Sequence, residues 1–261
     1  GDDGGDVGVV SEYPWQHMAV DDYVFPEIDS GLALSVCRAL EAETERFTMF
    51  SITMGFFERA WSLMGMEDAL VGMAMEDEDL GKVLEGILEH HLKLLDMVLP
   101  HKFDALFFGD DWGQQQGLIM GPKHWRQYIK PAVAKIFAKA RAAGKMIVLH
   151  SCGDLREIMG DLVEIGVDVY NTVQPEIYDL KRLKREYGKD LTFYGGISTQ
   201  QFLPTATREE TRAKAREVLE TMAADGGYIL SPTHSVTPDI PVDNVLAIIE
   251  AGEEFNAAQA R

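Results

Sequence analysis

The chain has 261 residues, 46% of them hydrophobic, which is enough for a substantial core, and a formal net charge of −19. That charge argues against a nucleic-acid binder, which needs basic surface to neutralise phosphates, and equally against attachment to an anionic membrane. No run of about 18 apolar residues is present to cross a bilayer, the acidic start "GDDGGDVGVV" lacks the basic and apolar regions of a secretory signal, and two cysteines, Cys37 and Cys152, make no disulfide framework, so a cytoplasmic setting is expected.

In chain order, residues 1–45 read as an irregular N-terminal part of one domain spanning 1–261. "RFTMFSITM" (46–54) predicts a strand. Residues 77–99 predict a long amphipathic helix carrying Leu80, Leu84, Ile87, Leu88, Leu92, Leu95 and Val98 on one stripe. From residue 100 the pattern alternates. "FDALFFGD" (103–110) predicts a buried strand and 122–143 a helix. "KMIVLHSC" (145–152) predicts a strand and "LREIMGDLVEIG" (155–166) a helix. "VDVYNTVQ" (167–174) predicts a strand, followed by the helix "YDLKRLKREYG", closed by Gly188. "LTFYGGIS" (191–198) predicts a strand. The next helix, within 207–227, opens on a Thr207/Glu210 capping box. "YILSPTH" (228–234) predicts the last strand, and 243–255 the last helix. Nearly continuous apolar strands separated by helices mean a parallel sheet covered on both faces, in an α/β chain. About six strands are legible, whereas a (β/α)8 barrel has eight. No glycine-rich phosphate fingerprint follows an early strand, so an open dinucleotide-binding sheet has little support.

Polar residues fall repeatedly where these strands end. Asp110 and Asp111 follow "ALFF", His150 and Cys152 follow "MIVL", and Asn171 and Gln174 follow "VDVY". Gly195, Gly196 and Ser198 follow "LTFY", and His234 follows "YILSPT". In a parallel barrel this is the end that carries catalysis. Side chains two apart on a strand share a face, so His150 and Cys152 converge while Ser151 points away. Imidazole nitrogen and thiolate sulfur suit zinc or another borderline metal, and His234 is a candidate third ligand. Two other readings stay open. One is a half-buried cysteine with its histidine bonded to Asp110 or Asp111; the other is a Cys–His nucleophilic pair. "GDDW" (109–112) offers a general base or a carboxylate for metal or substrate, or else a helix cap. "VQPE" (173–176) offers an amide to a polar substrate, or a turn set by Pro175. "YGGIS" (194–198) suits close backbone approach to a ligand, or a bend. His90, His91, His124, Trp125 and Cys37 read as structural or packing residues.

At these residues the chain resembles the uroporphyrinogen decarboxylase superfamily. The likeness runs from "GFFERAW" (55–61) to "VDNVLAIIEAGEEF" (242–255), roughly three quarters of the chain. Its most specific pieces are "FFGDDWGQQQGLIMGPKHW", "LHSCGD", "VYNTVQPE", "TFYGGISTQQFLP" and "GGYILSPTHSVTPDIPVDNV". The resemblance implies a (β/α)8 TIM barrel whose N-terminal portion, first strand included, is expected to be missing here. The superfamily holds cofactor-free decarboxylases of porphyrinogen acids and cobalamin-dependent methyltransferases. The arginine-bearing "RQAGR"-like motif and the pyrrole-binding aspartate of the former are not found, although "THSVTPDIP" resembles their C-terminal histidine segment. The methyltransferases are similar at "HSC", where H-x-C supplies two zinc ligands. Their third ligand is often a cysteine at the position matching His234. This branch implies zinc held by His150, Cys152 and His234, with Asp110 or Asp111 orienting substrate or completing the metal shell. Asn171, Gln174, Gly196 and Ser198 would bind substrate. The methyl group would arrive as methylcobalamin on a partner corrinoid protein docked over the strand ends, and the other substrate would be a small thiol, folate or methoxy compound. A homodimer is the expected assembly. The alternatives are a carboxy-lyase acting on a porphyrinogen, and a tetrapyrrole- or corrinoid-binding barrel without catalysis.

Overall fold

The computed structural model describes residues 10–259. Elements appear in the order α1 (Ser30–Ala42), β1 (Met49–Ile52), α2 (Phe57–Met64), α3 (Met66–Met75), α4 (Glu78–Val98), β2 (Ala105–Gly109), β3 (Gly113–Gln114), β4 (Gly117–Leu118), α5 (Gly121–His124), α6 (Lys130–Ala142), β5 (Met146–His150), α7 (Met159–Glu164), β6 (Val169–Val173), α8 (Leu180–Tyr187), β7 (Thr192–Ile197), α9 (Arg208–Met222), β8 (Tyr228–Pro232) and α10 (Val242–Gln259). Six strands form one parallel sheet in the order β1-β2-β5-β6-β7-β8, and β3 and β4 form a small antiparallel hairpin.

The six strands match the apolar runs of the sequence. Alternation sorts their side chains. Leu106, Phe108, Ile147, Leu149, Tyr170 and Phe193 pack under the helices, in the large core. Ala105, Val148 and Val169 form a second cluster on the opposite face, with Met49, Phe107 and Tyr194 against it. This inner layer draws on five consecutive strands. The sheet is strongly curled. In a flat sheet β5 and β8 would lie roughly 14 Å apart, three strand spacings, yet the rings of His150 at the end of β5 and His234 just after β8 have centroids 5.9 Å apart. The architecture is that of a (β/α)8 barrel wall. Among the described residues β1 and β8 are not bonded to each other. Cavities of about 660 Å³ and 480 Å³ run along their outer edges.

The helices follow from their caps and stripes. In α4 the buried residues are Leu80, Val83, Leu84, Ile87, Leu88, His91, Leu95 and Val98, and the Asp77 side chain caps the start. The Thr207/Glu210 capping box of α9 is formed in both directions. Three differences from the sequence reading have local causes. The expected helix over 122–143 is broken by a π turn at Trp125–Ile129, where Lys130 N–H reaches back to Trp125 O. Pro131 follows at once, has no N–H of its own and crowds the carbonyl four residues before it. The expected helix over 155–166 shortens to a 3-10 turn, Arg156–Ile158, followed by α7. The N-terminal part, expected to be irregular, contains α1, capped by the Asp29 side chain on Leu32 N–H at 2.9 Å.

Candidate functional site

The C-terminal ends of the strands carry the polar cluster. His150 is the last residue of β5 and Cys152 lies two positions on. His234 sits on the loop after β8. This loop is pinned to the end of β7, because Thr233 N–H bonds Ile197 O at 2.8 Å and Thr233 Oγ1 accepts from Thr199 N–H at 3.1 Å. One nitrogen of each histidine and the Cys152 sulfur all lie within 4.8 Å of one another. His150 Nε2 is 3.7 Å from Cys152 Sγ. A tetrahedral zinc ion with ordinary bond lengths sets its nitrogen and sulfur ligands about 3.6 Å apart. The donor set therefore fits such an ion in chemistry, and the His150–Cys152 pair fits it in spacing.

The loop that carries Cys152 is clamped from several sides. Gly153 N–H donates to Gln174 Oε1 at 2.8 Å, and Gly153 O accepts from Tyr178 Oη at 2.9 Å. Asp154 N–H bonds Gln114 O at 2.8 Å, which ties the loop to the β3–β4 hairpin. Gly153 has φ +84°, and a Cβ there would lie 2.2 Å from Gly113 C. Only glycine fits both the conformation and the space.

The two aspartates of "GDDW" part company. Asp110 is fully buried and accepts from Phe57 N–H and Glu58 N–H, both at 2.8 Å, and from Trp112 Nε1 at 2.5 Å. It caps α2 and faces the helix layer. Burial pushes its carboxyl up to about 6 against the pull of these donors. Asp111 lies at the mouth with its side chain 38% exposed. Its Oδ1 accepts from Cys152 N–H at 2.8 Å and stands 3.7 Å from His150 Nε2. Burial pushes the Cys152 thiol up to about 12, and the negative charges of Asp111 and Glu58 add to the effect.

The profile of the uroporphyrinogen decarboxylase (URO-D) family matches residues 5–255. The chain belongs to that family. It is 27% identical over 140 residues to the methylcobamide:CoM methyltransferase MtaA of Methanosarcina barkeri, a match that covers 53% of this chain and 39% of the relative. It is 22% identical over 182 residues to the uroporphyrinogen decarboxylase of Thermus thermophilus, covering 67% of this chain and 49% of the relative. The matched stretches thus span less than half of these curated relatives. A solved methyltransferase from Methanosarcina mazei superposes with a TM-score of 0.70 at 20% identity, over 85% of this chain and 64% of the other. That likeness supports the family's barrel fold.

Within this family member, the remaining residues singled out in the sequence have definite places. Asn171 is buried beside His150 and hydrogen-bonds its Nδ1. Gln174 Oε1 is engaged by Gly153 N–H. Gly196 faces outward: a Cβ there would meet Tyr228 Oη at 2.7 Å and Val218 Cγ1 at 3.1 Å. The Ser198 hydroxyl donates to Glu176 and accepts from Gln201 N–H at 3.0 Å. Gly196 and Ser198 line a separate groove of about 550 Å³ against α8 and α9, so the structure does not bring them to the triad. Sequence reasoning missed Glu58. It stands in the first turn of α2, half-buried, with its carboxyl pushed up to about 7 by burial and by the charges of Asp110 and Asp111. Its signal was its place just past the end of β1, like the other mouth residues.

Proposed function

We propose that this chain is a zinc-dependent methyltransferase that moves a methyl group between a corrinoid protein and a small thiol, folate or methoxy compound. The carrying observation is the convergence of His150, Cys152 and His234 within 4.8 Å. The 27% identity to a methylcobamide:CoM methyltransferase supports the same reading. The three side chains would hold zinc and leave a fourth position open toward the barrel mouth. Bound there, zinc would supply Lewis acidity and lower the pKa of a thiol substrate. The chain's own groups supply the rest. Asp111 keeps Oδ2 for a substrate hydrogen bond, since Oδ1 is engaged by Cys152 N–H. The Glu58 carboxylate, poised near neutrality, accepts the proton that a thiol gives up. Phe107, stacked on His150 at 6.1 Å between ring centroids, and Tyr194 furnish an apolar floor. A corrinoid partner would dock over this rim, within a cytoplasmic setting. Among the described residues no helix is long and apolar enough to cross a membrane.

Elemental analysis of protein purified in metal-free buffer and then incubated with zinc tests the reading. About one zinc per chain is expected, together with methyl transfer from methylcobalamin to a small thiol. No bound zinc would overturn it and return the choice to a metal-free lyase.

A further inference from the structure

We infer that Asn171 is a positioning residue that fixes the tautomer of His150 and aims its Nε2 lone pair at the Cys152/His234 pair. His150 and Asn171 are cross-strand neighbours in the β5–β6 ladder. The backbone holds them together, with Ser151 N–H donating to Asn171 O at 2.7 Å. An asparagine amide can be turned either way, so its orientation must come from its partners. Here Nδ2 donates to Tyr194 O at 3.3 Å, and a carbonyl can only accept. That puts Oδ1 on the other side, where it meets His150 Nδ1. An amide oxygen also only accepts, so Nδ1 carries the proton. In the neutral ring Nε2 is then the bare nitrogen. It stands 3.7 Å from Cys152 Sγ, on the side where the three donor atoms converge.

A free histidine side chain in water favours the opposite tautomer, with the proton on Nε2. The protein therefore needs a group to select this one, and Asn171 is that group. The imidazole plane is held as well, stacked on the Phe107 ring at an interplanar angle of 28°. A ligating histidine whose second nitrogen is bonded in this way binds metal without first reorienting or changing tautomer. Asn171, expected from sequence to touch substrate, instead acts through His150. The part of this inference that concerns zinc rests on the function proposed above; the tautomer does not.

The test uses the full chain labelled with 15N-histidine. Long-range 1H–15N spectra of the metal-free protein at a pH where His150 is neutral, with His150→Gln to assign the signal, should show His150 protonated at Nδ1. A proton on Nε2 in the parent protein overturns the inference whatever the metal result. In Asn171→Leu the Nε2–H form should appear, and the zinc Kd from competition with a chromophoric chelator should rise by about ten- to a hundredfold. Asn171→Asp keeps an acceptor at the same place and should restore both the Nδ1–H signal and most of the affinity. An unchanged tautomer and Kd in Asn171→Leu would refute the positioning role. If the parent shows the Nδ1–H form but takes up no zinc, the methyltransferase reading fails and the role of Asn171 in setting the tautomer stands. If Asn171→Leu does not fold, the parent spectrum and the Asn171→Asp affinity still decide.

Discussion

Replacing Asp110 by alanine separates a structural carboxylate from a catalytic one. The side chain is fully buried and takes hydrogen bonds from Phe57 N–H, Glu58 N–H and the Trp112 indole. Alanine leaves three buried donors without their acceptor. Each unsatisfied buried group costs about 1–3 kcal/mol, and the site admits little water, so a loss of about 3–6 kcal/mol is expected. Asparagine retains one acceptor oxygen and removes a charge that burial already disfavours, as the raised pKa of about 6 shows. Its cost should be nearer 1–2 kcal/mol. Urea unfolding followed by tryptophan fluorescence measures both, since Trp112 and Trp125 lie in the same core. Zinc affinity of the folded fraction should stay within a few-fold of the parent. An Asp110→Ala protein with unchanged urea midpoint and lost zinc binding or turnover would refute the structural role and return Asp110 to the active site.

Cys152→Ala should lose zinc while keeping its thermal midpoint within a few degrees, because the thiol sits at the rim outside both apolar clusters; retained zinc by elemental analysis counts against Cys152 as a ligand. The Cys152 thiol at about 12 is protonated at neutral pH and must lose its proton to bind metal. Zinc affinity should therefore rise at least about tenfold per pH unit between pH 6 and 8, with at least one proton released per zinc; calorimetry in two buffers of different ionisation enthalpy reads this, and zero protons released would contradict it. Gly153→Ala should be strongly destabilising, by about 2–4 kcal/mol, because a Cβ at φ +84° collides with the Gly113 backbone; an unchanged unfolding midpoint would mean the loop is not clamped as described.

Much of the barrel wall was legible in the sequence because its strands are buried on both faces and read as unbroken apolar runs. "ALFFG" and "MIVLH" need no alternation to be recognised. The helices around β1 were not legible. Helix α1 buries only Ala33 and Cys37, too thin a stripe to stand out. Helix α3, "MEDALVGMAM", is apolar on most sides and carries a glycine. At the site, the period of two brought His150 and Cys152 together on paper, and His234 was found by its place after the last strand. Glu58 escaped because α2, whose first turn carries it, was itself not legible. The orientation of Asn171 escaped because it depends on the β5–β6 register and on a carbonyl of the neighbouring strand β7, neither of which a single strand reveals.

The strand-end residues divide by parity, and this gives the site its logic. Asp110 continues the outward row of Leu106 and Phe108, and it serves α2 from within the core. Asp111 continues the inward row of Ala105 and Phe107, and it reaches the mouth. The same holds one strand over. Ser151 follows Leu149 outward and accepts from Trp112 N–H at 2.9 Å, while His150 and Cys152 follow Val148 inward. The outward members are consumed in hydrogen bonds that lock loop to helix at Asp110 and loop to loop at Ser151, and the inward members keep atoms free. A one-residue slip of β5 against β2 would exchange the two sets, putting Ser151 at the mouth and His150 in the core. The bond from Trp112 N–H to Ser151 Oγ opposes that slip, because it ties the end of β2 to the loop after β5 in one register, and the slip would bury two ligands without partners. Ser151 therefore holds the register that presents histidine and cysteine beside the second aspartate, whereas Asp110 anchors α2, and variants of Asp110 that survive folding should keep that presentation intact.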